Sequence, residues 1–215
     1  MSFAQSFRSG VKGISPPILS DFLRRKFTVQ PGEVLFDGEA ALFQRLLKDC
    51  KVYGEYGCGK STAYVAENSA AEILSVDSSK VWTDKVRAAL PDSRDASIEY
   101  VDCGPLGDWG RPLDYTRRDS FQRYTDFLWS GERHPDLVLV DGRFRVACFL
   151  TSLQKAEPGS VILFDDYRDR PHYHLVEEFV EPFDECGRQF AFRVPADLDR
   201  DRLAGEIERF RYVLD

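Results

Sequence analysis

The stretch KVYGEYGCGKST, Lys51 to Thr62, decides how this chain folds. A short segment from Lys51 to Gly54 reads as a strand and runs into Glu55, then Gly57 and Gly59, after which Ser61 and Thr62 open a helix. Strand, glycine corner and helix N-terminus together make a ligand seat. Glycine permits positive φ and close approach of backbone to ligand, and the first helical turn offers N–H groups without intrahelical partners. The same residues read a second way, because Gly54, Gly59, Lys60 and Ser61 satisfy G-x-x-x-x-G-K-[ST], a spacing that cradles phosphates. Under that reading Lys60 meets the terminal phosphates, Ser61 holds magnesium, and Asp165 or Asp166 in VILFDD supplies the second acid.

Outward from this corner the chain alternates. Ser61 to Asn68 predicts a helix, Glu72 to Asp77 a strand, and Ser78 or Ser79 caps a helix from Val81 to Leu90 that stops at Pro91. Ser97 to Asp102 is a third strand, and Asp119 or Ser120 caps a helix carrying Phe121, Tyr124, Phe127 and Leu128. The runs DLVLVD, Asp136 to Asp141, and SVILFD, Ser160 to Asp165, have the continuous apolar character of central parallel strands covered on both faces, with a helix from Phe144 to Ala156 between them. Tyr173 to Val180 predicts a further helix, and Phe183 to Glu185 and Gln189 to Val194 flank Cys186-Gly187-Arg188 as a tight pair of strands. Gly38 to Asp49 carries apolar residues at helical spacing, as does Arg202 to Leu214. The segment before it holds Pro16, Pro17, Pro31 and a candidate short helix, Ser20 to Phe27.

Alternation of this kind implies a doubly wound α/β sheet whose ligands sit at the carboxyl ends of the strands, where Asp77, Asp102, Asp141 and Asp165 all fall. Asp77 lies at about the ~20-residue offset at which an acid grips a ribose hydroxyl. Glu55 would sit poorly beside a triphosphate and suits a cationic amino-acid ligand.

E-Y-G-C-G-x-S-T after a strand, followed by Asp77, Asp102 and Asp141 after the next three, resembles the class I S-adenosylmethionine-dependent methyltransferases over about Gly38 to Val194. The resemblance implies a mostly parallel seven-stranded sheet with an antiparallel last strand. It divides the chain into an N-terminal helical extension (1–37), a cofactor-binding Rossmann-like domain (38–195) and a docked C-terminal helix (196–215). It places Glu55, Tyr56, Gly57, Cys58, Gly59, Ser61 and Thr62 around the amino-acid end of S-adenosylmethionine, Asp77 with Ser78 at the ribose, Asp102 with Cys103 at the adenine, and Asp141 at the reacting end. Lys60 departs from the pattern, being basic where the family is usually not.

The catalytic end combines Asp141-Gly-Arg-Phe-Arg145 with Phe164-Asp-Asp-Tyr167. Cation-dependent O-methyltransferases of the catechol type resemble this arrangement, which implies Mg2+ on Asp141, Asp165 and Asp166. Their usual Asp-Asn pair is Asp165-Asp166 here. A metal-free enzyme would use Asp141 or Asp166 as general base. The same acids also read as helix caps or as partners of Arg143, Arg145, Arg168 and Arg170, which either neutralise them or receive an anionic substrate. His172 and His174, two apart, do not share a helical face, and Cys58 serves its loop through size rather than as a nucleophile. Trp109 either presents a ring to the ligand or anchors its loop.

Composition narrows the rest. A net charge of −7 over 215 residues argues against a nucleic-acid surface, and no apolar run reaches membrane length. Five scattered cysteines without a C-x-x-C pair indicate reduced thiols and a cytoplasmic protein. The expected activity is methyl transfer to O or N of a small-molecule acceptor. The alternatives are a phosphate-loop triphosphatase or kinase using residues 54–61 and 161–166, and an inactive relative that only binds the cofactor.

Overall fold

The computed structural model describes residues 35–36 and 39–215. The rest of the 1–37 extension, with the expected Ser20 to Phe27 helix, lies outside the described residues. Helix α1 (Ala41–Leu47) leads into β1 (Val52–Tyr56), followed by α2 (Lys60–Asn68), β2 (Glu72–Asp77), α3 (Lys80–Ala89) and β3 (Ala96–Tyr100). A long loop then gives way to α4 (Phe121–Asp126), β4 (Leu137–Val140), α5 (Arg145–Lys155) and β5 (Val161–Phe164). The antiparallel pair β6 (Pro182–Cys186) and β7 (Gln189–Arg193) and helix α6 (Arg200–Phe210) complete it. No described helix is long and apolar enough to cross a membrane.

The sheet has seven strands in the order β3-β2-β1-β4-β5-β7-β6, with β1 to β5 parallel and β7 antiparallel to both neighbours. Side chains alternate across it with period two. Tyr53, Ile73, Leu137, Leu139, Val161 and Leu163 pack under α1, α2 and α3 through Leu42, Phe43, Val65 and Val86. Val138, Val140, Ile162, Phe164 and Phe192 pack on the other face against α4, α5 and Leu203 of α6. Burial on both faces explains why β4 and β5 read as unbroken apolar runs.

Two elements differ from the sequence reading. The first strand does not stop at Gly54 but pairs with β2 and β4 as far as Tyr56, which puts Glu55 inside the ladder, opposite Ser75 and Leu139. The expected helix from Tyr173 is a 3-10 helix, Pro171–Glu178. Its two buried residues, Tyr173 and Val176, are three apart, which is the period of that helix.

Candidate active site

The winding direction reverses between β1 and β4, and at that point the carboxyl ends of the parallel strands open into a cavity of about 820 Å³. Gly57, Cys58, Gly59, Lys60 and Ser61 form one wall, and Asp77, Ser78 and Ser79 the next. Asp141, Gly142, Arg143 and Arg145 follow β4, and Asp165 and Asp166 follow β5.

The glycine corner is built by close backbone contact. Gly57 has φ +91, its N–H donates to Val76 O at 2.8 Å, and a Cβ there would lie 2.7 Å from the Gly142 Cα. Two loops thus meet without side chains between them. Gly59 differs: its backbone is extended, it lines the cavity, and no atom of the described residues lies within 4 Å of where a Cβ would stand. Asp77 closes the corner from β2. One carboxylate oxygen accepts from Cys58 N at 3.0 Å and the other from Ser79 N at 2.6 Å, and burial raises its pKa. A carboxylate offers about four lone-pair sites, so two remain for a ligand.

Several residues expected at the cofactor stand elsewhere. Glu55 shares the parity of Tyr53 and points beneath α2, where its buried carboxyl accepts from Ser61 Oγ and, at 2.6 Å, from Thr62 Oγ1. It braces the corner from inside and does not line the cavity, and burial pushes its pKa up to about 8. Thr62 also accepts from Gly59 N at 2.9 Å. Tyr56 lies in the core, donating to Thr125 O and accepting from Trp129 Nε1. Asp102 and Cys103 follow the edge strand β3 and are off the cavity: Asp102 accepts from Gly104 N at 3.0 Å and pairs with Arg117 at 3.1 Å. The Cys58 thiol is buried and its pKa raised, which disfavours a nucleophilic thiolate.

Asp141, Asp165 and Asp166 do converge, with one oxygen from each within 4.8 Å of the others. The cations at these oxygens are guanidinium groups. Arg145 Nη1 lies 3.0 Å from Asp166 and its Nη2 3.2 Å from Asp141, and Arg145 also donates to the carbonyls of Gly142 and Asp165. Arg170 reaches Asp166 at 2.9 Å, and Arg188 reaches it at 2.8 Å and Asp165 at 3.5 Å. Magnesium demands an octahedral set of oxygens and would have to displace several of these pairs, so the cluster as folded does not fit it. Asp166, held by three guanidinium groups in a left-handed backbone (φ 58), is an anchor and not a free base. Asp141 is the acid of the three with room to act. Burial and the adjacent Asp165 carboxylate push it up to about 7.

Four other cavity residues carry no signal in the glycine motif. Tyr124 accepts from Arg143 N at 3.2 Å, which fixes the turn after β4. Trp82 and Lys85 project from α3. Arg188 replaces the expected Arg168, which is tied to Glu185 and Gly187 on the surface. Antiparallel pairing of Phe164 with Phe190 sets the start of β7 beside the end of β5, so Arg188 could have been placed from the strand register. Trp109 is not a buried anchor: it is 92% exposed, at φ 58, on the cavity rim. His172 lies tilted against Tyr173, and His174 stacks on Tyr167 with a 3.2 Å contact to its carbonyl; neither lines the cavity.

A parallel sheet closed by an antiparallel β7, with a glycine corner and strand-end acids at its switch point, defines a class I methyltransferase-like protein. Neither a protein-family model nor a curated protein matches the sequence. Among solved structures, the chain is 32% identical to a methyltransferase-like protein from Silicibacter pomeroyi, with 92% of this chain and 95% of that one covered and a TM-score of 0.68. The N-methyltransferase NodS from Bradyrhizobium japonicum WM9, solved with S-adenosyl-L-homocysteine, shares the fold at 13% identity and a TM-score of 0.50, over 82% of this chain and 98% of that one. The protein belongs to the class I methyltransferase-like family. The phosphate-loop alternative gains nothing from the site, since the Ser61 hydroxyl that would hold magnesium is directed inward to Glu55.

Proposed function

We propose that the protein is an S-adenosylmethionine-dependent methyltransferase acting on an oxygen or nitrogen of a small-molecule acceptor. The observation that carries this reading is the Asp77 carboxylate, fixed by two backbone N–H groups at the cavity wall that Gly59 also lines. That pairing fits an adenosyl amino acid. Asp77 receives the ribose hydroxyls through its remaining lone pairs, while the Gly57 to Gly59 backbone and the first turn of α2 receive the amino-acid end. Bound there, S-adenosylmethionine supplies an electrophilic methyl group on sulfur.

The chain's own contribution is placement and one proton. Positioning alone can contribute about 7–11 kcal/mol to a displacement between bound partners. Asp141, with Arg145 at one oxygen, faces the cavity at the end of β4 and accepts the proton that the acceptor O–H or N–H releases as its lone pair attacks. A base poised near neutral pH suits this step.

Calorimetry tests the reading. Wild-type protein should bind S-adenosylhomocysteine and S-adenosylmethionine, Asp77→Ala should abolish both, and Lys60→Ala should change little. Tight binding of magnesium-ATP with loss in Lys60→Ala would replace this function by the triphosphatase.

A further inference from the structure

The chain carries a net charge of −7, yet its cavity is lined by six cationic side chains against four carboxylates among the described residues. Lys60, Lys85 and Asp77 stand on the β1–β2 side, and Arg143, Arg145, Arg170 and Arg188 on the β4–β5 side with Asp141, Asp165 and Asp166, so each side carries one cation in excess. Low-dielectric walls around charges of one sign focus their field and concentrate ligands of the opposite sign.

The arginines are not equivalent. Arg145 is saturated by carbonyls and carboxylates, and Arg170 and Arg188 are engaged with Asp165 and Asp166. The Arg143 side chain makes no hydrogen bond or ion pair among the described residues, and its Nε is buried without a partner. Protein atoms enclose the Nε, so the donors that a cavity ligand meets are the terminal Nη groups of this side chain. The 3.2 Å bond from Arg143 N to Tyr124 holds the turn rigid, two residues beyond Asp141.

Resting on the methyltransferase reading above, we propose that the acceptor is an anion whose carboxylate or phosphate group docks on Arg143, with its nucleophilic oxygen or nitrogen directed to Asp141. Arginine's planar fork suits either group. The cofactor's own carboxylate is the competing source of such an anion. The glycine corner touches the turn after β4 through Gly57 and Gly142, so the two seats adjoin; the α2 N-terminus offers the cofactor carboxylate its own N–H groups, and the test separates the two sources.

The test uses full-length protein loaded with S-adenosylhomocysteine, which fills the glycine corner, and titrates inorganic phosphate, acetate and acetamide at constant ionic strength, following melting temperature and calorimetric heat. Phosphate and acetate should stabilise the loaded protein and acetamide should not. Arg143→Gln should weaken phosphate at least tenfold while leaving S-adenosylhomocysteine affinity within twofold, and Arg143→Lys should keep part of the phosphate affinity. Equal responses to acetate and acetamide, or phosphate affinity unchanged in Arg143→Gln, overturn the proposal. So does a tenfold loss of S-adenosylhomocysteine with 5′-methylthioadenosine unaffected, which would assign Arg143 to the cofactor carboxylate. If the wild type binds no S-adenosylhomocysteine, the methyltransferase reading fails separately, and the same titrations on unloaded protein decide the anion site alone.

Discussion

Arg145 Nη1 lies 3.0 Å from Asp166 Oδ2, with the two side chains 4% and 12% exposed. A pair so deeply buried does not earn its stability from attraction alone, because desolvation offsets most of the Coulomb term. Removing one member is another matter, since the acids left behind are uncompensated. Arg145→Ala is expected to cost about 3–5 kcal/mol, which lowers the melting temperature by about 10 °C for a chain of this size. Arg145→Lys should recover only a small part, because one ammonium cannot span the carbonyls of Gly142 and Asp165 together with two carboxylates. A drop under 2 °C in a calorimetric scan would contradict this role.

With guanidinium groups at the Asp141 and Asp166 oxygens, the site is expected to need no divalent metal. Millimolar Mg2+ and excess EDTA should leave both the melting temperature and the S-adenosylhomocysteine affinity of the wild type unchanged, as read by scanning and titration calorimetry. A magnesium-dependent rise in either would mean that the Asp141, Asp165 and Asp166 oxygens give up their arginines to the ion.

Two glycines of the corner separate folding from binding. Gly57→Ala forces a Cβ against the Gly142 backbone at a left-handed φ, and should cost about 2–3 kcal/mol of stability. Gly59→Ala meets no atom of the described residues within 4 Å and an extended backbone, so its melting temperature should stay within about 1 °C of wild type. Gly59 lines the cavity, and the added methyl group should weaken S-adenosylhomocysteine at least tenfold. Equal affinity in Gly59→Ala would show that the ligand seat lies elsewhere.

The fold was readable because its strands announce both their burial and their direction. LVLV and VILF have no solvent face, and an acid stands at the end of β2, β4 and β5. The site was readable only as backbone. Gly57, Gly59 and Asp77 follow from strand, turn and offset, whereas Glu55 needed its parity: two residues from Tyr53, it had to face α2 and not the ligand. Asp102 could not be placed without knowing that β3 is an edge strand with Arg117 beside it. The arginine cluster was half visible. Local spacing suggested Arg143, Arg145 and Arg170, but Arg188 arrives from the far side of an antiparallel pairing, which sequence separation conceals.

Asp141 sets the pH dependence expected of methyl transfer. Its pKa is raised to about 7, so the proton-accepting form grows as pH rises through that value. The ratio kcat/KM should increase about tenfold per pH unit below 7 and level off above it. Asp141→Asn should lower the rate and flatten the profile while leaving S-adenosylhomocysteine affinity within a few fold. A wild-type profile flat between pH 5.5 and 8.5 would exclude Asp141 as the base.

Alongside the raised carboxyls of Asp77, Asp141, Asp165 and Asp215, Glu55 contributes to the pH dependence of stability. Its carboxyl is raised from an ordinary 4.5 to about 8 in the folded chain, chiefly by burial, so the native state holds a proton that the unfolded chain releases. The stabilisation is complete below pH 4.5 and is lost progressively as pH rises to 8, with a slope of at most about 1.4 kcal/mol per pH unit from this group. Near neutrality the protonated acid presents one carbonyl acceptor and one O–H donor to the Ser61 and Thr62 hydroxyls, a pair that glutamine reproduces with its amide oxygen and NH2. Glu55→Gln should therefore fold, bind S-adenosylhomocysteine within a few fold of wild type, and lose melting temperature less steeply than wild type between pH 5 and 8. If the two proteins melt in parallel across that window, Glu55 is charged in the native state, and the brace beneath α2 is an ionic one.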